Sequence, residues 1–181
     1  MDLLFSAYWK TFEEHPAIPN WLITWLNEPN SMTERVKSLC THDFRVEVLR
    51  HELVENQQLQ PELQLVQNEL VLQREVLLCD GDTPLIFAYS LLPEAALHGR
   101  YAELRELGSR PLGHWLFTEP VLKRHTVEIA ALATQEKLFD QVREITTLPT
   151  LLWGRKALFS GAAKPLLVSE FFLPALQFRT E

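Results

Sequence analysis

The feature that most constrains this chain is a pair of long apolar runs, Leu70 to Cys79 and Pro84 to Leu92, joined by Asp80-Gly81-Asp82. An Asp-Gly pair favours the left-handed backbone of a tight antiparallel reversal, so the two runs read as one β-hairpin. Leu151 to Phe159, a turn at Ser160-Gly161 and Pro165 to Leu173 repeat the pattern as a second hairpin. Phe44, Val46 and Val48 alternate with Arg45 and Glu47, the period of a half-buried strand. Val121, Lys123, His125, Val127 and Ile129 alternate with a more polar set and predict another.

Helical spacing occupies the gaps. Asn20 to Asn27 places Trp21, Leu22, Trp25 and Leu26 on one side before Pro29 interrupts it. Ser31-Met32-Thr33-Glu34 is a capping box, in which Ser31 caps the helix and Glu34 reaches back to the Ser31 N–H, so a helix of roughly 31–39 should start there. Pro93 to Leu107 carries a stripe of Leu97, Tyr101, Leu104 and Leu107 with Gly108 just past its end, and Thr134 to Ile145 precedes Pro149. His114-Trp115-Leu116-Phe117 is too short to assign. Hairpins with helices between them predict an α+β domain, a single antiparallel sheet flanked by helices.

The 181 residues contain no repeat or low-complexity tract, and 46% hydrophobic with 23% charged residues suits one domain spanning 1–181. The net charge is -7 and the 17 Lys and Arg are scattered, which argues against a nucleic-acid partner. An anionic small ligand would then depend on local cations, which singles out any Arg inside an apolar segment. Cys40 and Cys79 form no disulfide framework and no Cys/His cluster has zinc spacing, so reduced thiols and no metal are expected. Met1 to Lys10 carries no basic region followed by a long apolar stretch and no later segment reaches about 18 uninterrupted apolar residues, so no stable membrane insertion and a cytoplasmic location are expected.

Two charges break this apolar pattern. Leu70, Leu72, Arg74, Val76 and Leu78 share one strand face, and Leu166, Val168, Glu170 and Phe172 share another. Arg74 and Glu170 could form a buried salt bridge, or flank a cavity and hold opposite ends of a polar ligand; the pattern leaves both open. Two backbone donors are also of interest. Met32, at the first position of the predicted helix, has an N–H without an intrahelical partner, and Leu112 lies in the tight Pro111-Leu112-Gly113 segment.

These pieces gather into a resemblance. Ser31-Met32-Thr33, Arg74 to Cys79, Pro111-Leu112-Gly113 with Leu116-Phe117, Leu152-Trp153-Gly154-Arg155, and Lys164 to Leu167 leading to Glu170-Phe171-Phe172-Leu173-Pro174 follow one another as in the chorismate lyase family of ubiquinone biosynthesis. The resemblance spans roughly residues 20 to 174. It implies an enclosed cavity against the sheet, and a monomeric enzyme without a cofactor that splits chorismate into 4-hydroxybenzoate and pyruvate and is inhibited by its product. Arg74 and the backbone N–H groups of Met32 and Leu112 would hold the ring carboxylate, and Glu170 would face the 4-hydroxyl. The chain departs from the family at Tyr89, where an Arg is common, and in a longer segment from Ala133 to Leu151. With Tyr89 in place, the resemblance supplies no contact for the pyruvyl carboxylate. The same fold also serves non-catalytic sensor domains, the rival reading for a chain of this kind.

Overall fold

The computed structural model describes residues 9–179 apart from 16, 58, 59, 126, 135 and 136. In chain order its main elements are α1 (Asn20–Leu26), α2 (Met32–Leu39), β1 (Phe44–Glu55), β2 (Leu70–Asp80), β3 (Thr83–Pro93), α3 (Leu112–Thr118), β4 (Lys123–Arg124), β5 (Glu128–Ala133), α4 (Lys137–Arg143), β6 (Leu151–Ser160) and β7 (Leu166–Phe172). The strands form one antiparallel sheet in the order β1-β2-β3-β7-β6-β4, with β5 also on the outer edge of β6. The α+β architecture thus follows from the two hairpins, whose inner strands β3 and β7 pair with each other. Gly81, at φ +57°, makes the first reversal.

The two faces of the sheet are covered differently. On one, Leu77, Phe87, Leu167 and Phe171 pack beneath Trp9 and the α4 residues Leu138, Phe139 and Val142. Helix α4, within the long segment between β5 and β6, therefore supplies part of the cover of this face.

The other face carries two separate apolar clusters. One joins Leu22, Trp25, Leu26, Met32 and Val36 of α1 and α2 to Val76, Leu78 and Phe172. The second joins Leu97, Tyr101, Leu104, Leu112 and Leu116 to Leu72, Leu92 and Leu166. On β2, Leu72 belongs to one cluster and Val76 to the other, so Arg74 falls at the seam. On β7, Glu170 lies in the same way between Leu166 and Phe172.

Two expectations are corrected. The stretch from Pro93 to Leu107 is not an α-helix but two 3₁₀ segments, Glu94–Ala96 and Gly99–Glu106. His98 is extended and Gly99 sits at φ +58°, outside right-handed helical geometry, yet Leu97, Tyr101, Leu104 and Leu107 still reach one cluster. The single strand expected over 121–129 is two, β4 and β5. Arg124 opposes Phe159 and Glu128 opposes Lys156, so four steps on one side match three on the other, as at a β-bulge. Residues 1–8 of the N-terminal segment and residues 135 and 136 of the predicted helix at 134–145 lie outside the described residues.

Candidate active site

Pairing in the sheet sets the site out in two adjacent rows. Arg155, Glu170, Ala88 and Val76 oppose one another across β6, β7, β3 and β2; Ala157, Val168, Ser90 and Arg74 form the next row. Arg74 and Glu170 are thus separated by β3, at a Cα distance of roughly 12 Å from strand and residue spacing. What lies between them is small: Ala88 and Ser90 on β3. Two charges with short side chains between them leave a cavity, lined by Arg74, Val76, Ala88, Ser90, Val168 and Glu170 on the sheet side. Thr33, Leu112, Gly113, Leu116 and Phe117 close it from above.

Arg74 and Glu170 therefore share a cavity without forming the mutual salt bridge that their pattern also allowed. Arg74 is 1% exposed and donates from Nη1 to His51 Nδ1 at 3.1 Å and from Nη2 to the Arg110 carbonyl at 3.1 Å. Because His51 Nδ1 accepts, its Nε2 carries the hydrogen and donates to the Arg105 carbonyl at 2.8 Å. Among the described residues no carboxylate forms an ion pair with Arg74. Burial pulls its pKa down from the ordinary guanidinium range to about 10, which still leaves a cation at neutral pH. A buried cation held only by neutral acceptors is the environment in which an anionic ligand gains most.

Two helix starts converge near the Arg74 end. Ser31 caps α2, its Oγ accepting from Glu34 N at 3.4 Å, while the Glu34 carboxylate turns toward His114 Nδ1 on α3, 3.8 Å away. Only half of the expected reciprocal cap is formed. Gly113, in the first turn of α3, faces this start so closely that a Cβ there would lie 2.8 Å from Thr33 Oγ1 and 3.2 Å from Ser31 Oγ. Leu112 lines the cavity. Met32 is not among the lining residues; its side chain is buried in the α1–α2 cluster, and Thr33 forms the wall beside it.

The Glu170 end is more highly charged than the sequence pattern indicated. Glu170 Oε2 accepts from Arg155 Nε at 2.7 Å, and Arg155 Nη1 donates to the Glu28 carbonyl at 2.8 Å, beyond the end of α1. Glu170 Oε1 has no hydrogen bond among the described residues. Arg124 also lines the cavity, donates to the Glu28 carbonyl at 3.3 Å and lies 5.4 Å over the Phe117 ring. Burial, with the neighbouring Arg155 guanidinium, holds the Arg124 pKa below its ordinary value. Sequence reasoning missed Arg124 because an unbroken strand puts it on the face opposite Val127 and Ile129; the bulge between β4 and β5 brings it onto theirs. Tyr89 lies on the other side of the sheet, in the cluster beneath α4.

The chain matches the family model described as chorismate lyase over residues 3–181. It is 36% identical over 175 residues to a probable chorismate pyruvate-lyase of Aromatoleum aromaticum, covering 94% of each chain. It is 40% identical over 157 residues to one of the same name from Methylococcus capsulatus, covering 84% of this chain and 94% of the relative. Among solved structures it resembles the C-terminal domain of the histidine utilization repressor from Pseudomonas syringae, with TM-score 0.56, 6% identity, and 77% of this chain and 95% of that one covered. The effector domain of PhnF from Mycobacterium smegmatis gives TM-score 0.54 at 15% identity, covering 81% and 90%. At such identities the likeness is one of fold.

Proposed function

The chain belongs to the chorismate lyase family, and from that premise we propose that it acts as a chorismate pyruvate-lyase, converting chorismate to 4-hydroxybenzoate and pyruvate. The observation that carries this reading is the cavity itself, in which Arg74, with no carboxylate partner among the described residues, faces the same space as Glu170.

In this reading Arg74 binds the ring carboxylate. Its planar fork makes paired charge-assisted hydrogen bonds, each worth about 1.5–3 kcal/mol. The N–H groups of Met32 and Leu112, which stand in the first turns of α2 and α3, add donors and the positive ends of two helices. Glu170 receives the 4-hydroxyl on Oε1, since Oε2 is engaged by Arg155.

The reaction breaks the bond from C3 to the ether oxygen and removes the hydrogen on C4, and the ring becomes aromatic. Glu170 could take that hydrogen as a base, or orient the hydroxyl while the hydrogen passes to the enolpyruvyl methylene, which becomes the methyl group of pyruvate. The Arg155 ion pair favours the second role, because protonating Glu170 would forfeit it. The protein then contributes a fixed conformer and exclusion of water, and the residues named need no cofactor.

We further take the whole chain as one monomeric domain working in the cytoplasm, supplying 4-hydroxybenzoate toward ubiquinone. Cys40 and Cys79 are unpaired, and no helix among the described residues is long and apolar enough to cross a membrane. A planar product enclosed beneath α2 and α3 leaves slowly and inhibits the enzyme. The test is to mix purified protein with chorismate and follow pyruvate release, and to titrate the protein with 4-hydroxybenzoate. Pyruvate release that slows as 4-hydroxybenzoate accumulates is expected. Tight product binding without pyruvate release would point instead to a ligand-binding protein.

A further inference from the structure

Among the described residues, the cavity wall holds three guanidinium groups, Arg74, Arg124 and Arg155, against the single carboxylate of Glu170. Arg155 is committed to Glu170 by the 2.7 Å contact, and Arg74 stands two strands away from it. Arg124 is different. Its one hydrogen bond among the described contacts is the 3.3 Å bond to the Glu28 carbonyl, and no carboxylate forms an ion pair with it among the described residues. It is partly buried, opposes the cavity residue Phe159 across β4 and β6, and lies beside Phe117 at the Glu170 end.

Resting on the lyase reading, we propose that Arg124 is the residue that binds the carboxylate of the enolpyruvyl side chain, and so distinguishes substrate from aromatic product. The chemistry of the two ligands carries the argument. Chorismate is a dianion whose second carboxylate hangs from C3, next to the carbon bearing the 4-hydroxyl. A molecule held by Arg74 at one end and Glu170 at the other brings that carboxylate to the Glu170 end of the cavity. Glu170 would repel it and Arg155 is already engaged, which leaves Arg124 as the available cation among the described residues. The net charge of the described lining groups, two positive, matches a dianion. 4-Hydroxybenzoate lacks the second carboxylate, so it has nothing to offer Arg124. Departure of pyruvate therefore removes one anchor from the site while the aromatic product keeps the other.

The test uses the full chain with Arg124→Met and Arg124→Lys, measuring chorismate cleavage by pyruvate release and 4-hydroxybenzoate binding by calorimetry. For Arg124→Met, kcat/KM for chorismate should fall about 10- to 100-fold, mainly through KM, as expected for lost charge-assisted hydrogen bonds. Its Kd for 4-hydroxybenzoate should stay within about twofold, which also checks that the variant folds. Arg124→Lys, which keeps the charge, should recover much of the loss. Equal weakening of substrate and product, or an unchanged kcat/KM, overturns the assignment. Native protein that binds 4-hydroxybenzoate but releases no pyruvate would remove the lyase reading and this assignment together; an active native chain with an unimpaired Arg124→Met variant removes the assignment alone.

Discussion

Among the described residues Glu170 is held through one oxygen and open through the other, which makes Glu170→Gln an informative exchange. Gln keeps the shape, but its one acceptor oxygen would face Arg155 Nε and turn the amide N–H toward the 4-hydroxyl oxygen, which it can still orient as a donor; it is a far weaker base than a carboxylate. If Glu170 only orients the hydroxyl, turnover should remain within about tenfold of the native rate, whereas loss of an obligatory base would cost about 10²–10⁴-fold. Single-turnover measurement of pyruvate formation separates the two, and a loss near the upper figure would make Glu170 the base. At this scale much of the site was legible. Arg74 and Glu170 stand out because each is a charge in an otherwise apolar row. Their partners were not legible, because His51, the Arg110 carbonyl and Arg155 reach them through pairing and folding that period-two spacing does not encode.

At the scale of elements, the contact between the starts of α2 and α3 depends on Gly113, where a Cβ would lie 2.8 Å from Thr33 Oγ1. Gly113→Ala should force the two first turns apart, costing about 1–3 kcal/mol of stability as other overpacked contacts do. If those turns cradle the ring carboxylate with Arg74, the Kd for 4-hydroxybenzoate should rise about tenfold, a loss of one hydrogen bond's order. An unchanged Kd would mean that the helix starts do not touch the carboxylate. Gly154 has a comparable role inside the sheet, because a Cβ there would come within 2.4 Å of the Phe171 ring. The hairpins could be read from the sequence because period-two runs meet at Asp-Gly and Ser-Gly turns. The 93–107 stretch could not, because its apolar residues keep helical spacing while Gly99 breaks the helix. The β4–β5 bulge was equally hidden: one unpaired residue changes which side chains face inward, and it concealed Arg124.

For the whole molecule, the most consequential buried charge outside the cavity is Asp80, at the end of β2 and 1% exposed. It accepts from Thr41 N, Thr41 Oγ1 and His42 N and pairs with Arg179, so one carboxylate joins the α2–β1 connection, the first hairpin and the C-terminal segment. Burial by itself would raise its pKa, but these donors outweigh burial and hold the carboxyl well below the usual range. Glu69 beside Lys164 and Glu94 beside Arg105 shift in the same direction. A group whose folded pKa is depressed stabilises the fold fully above its unfolded pKa, about 3.9 for Asp, and loses that contribution as the pH falls toward the folded value. Melting temperature should therefore decline as pH is lowered from about 5 to 3. Asp80→Asn should cost about 3 kcal/mol at neutral pH by leaving Arg179 and the Thr41 and His42 donors poorly matched, a fall of roughly 10 °C for a chain of this size. The same variant should also show a shallower decline with acid, because the side-chain amide that replaces the carboxylate takes up no proton in this range. Thermal melts of both proteins across that range provide the check, and parallel pH slopes would show that acid sensitivity resides elsewhere.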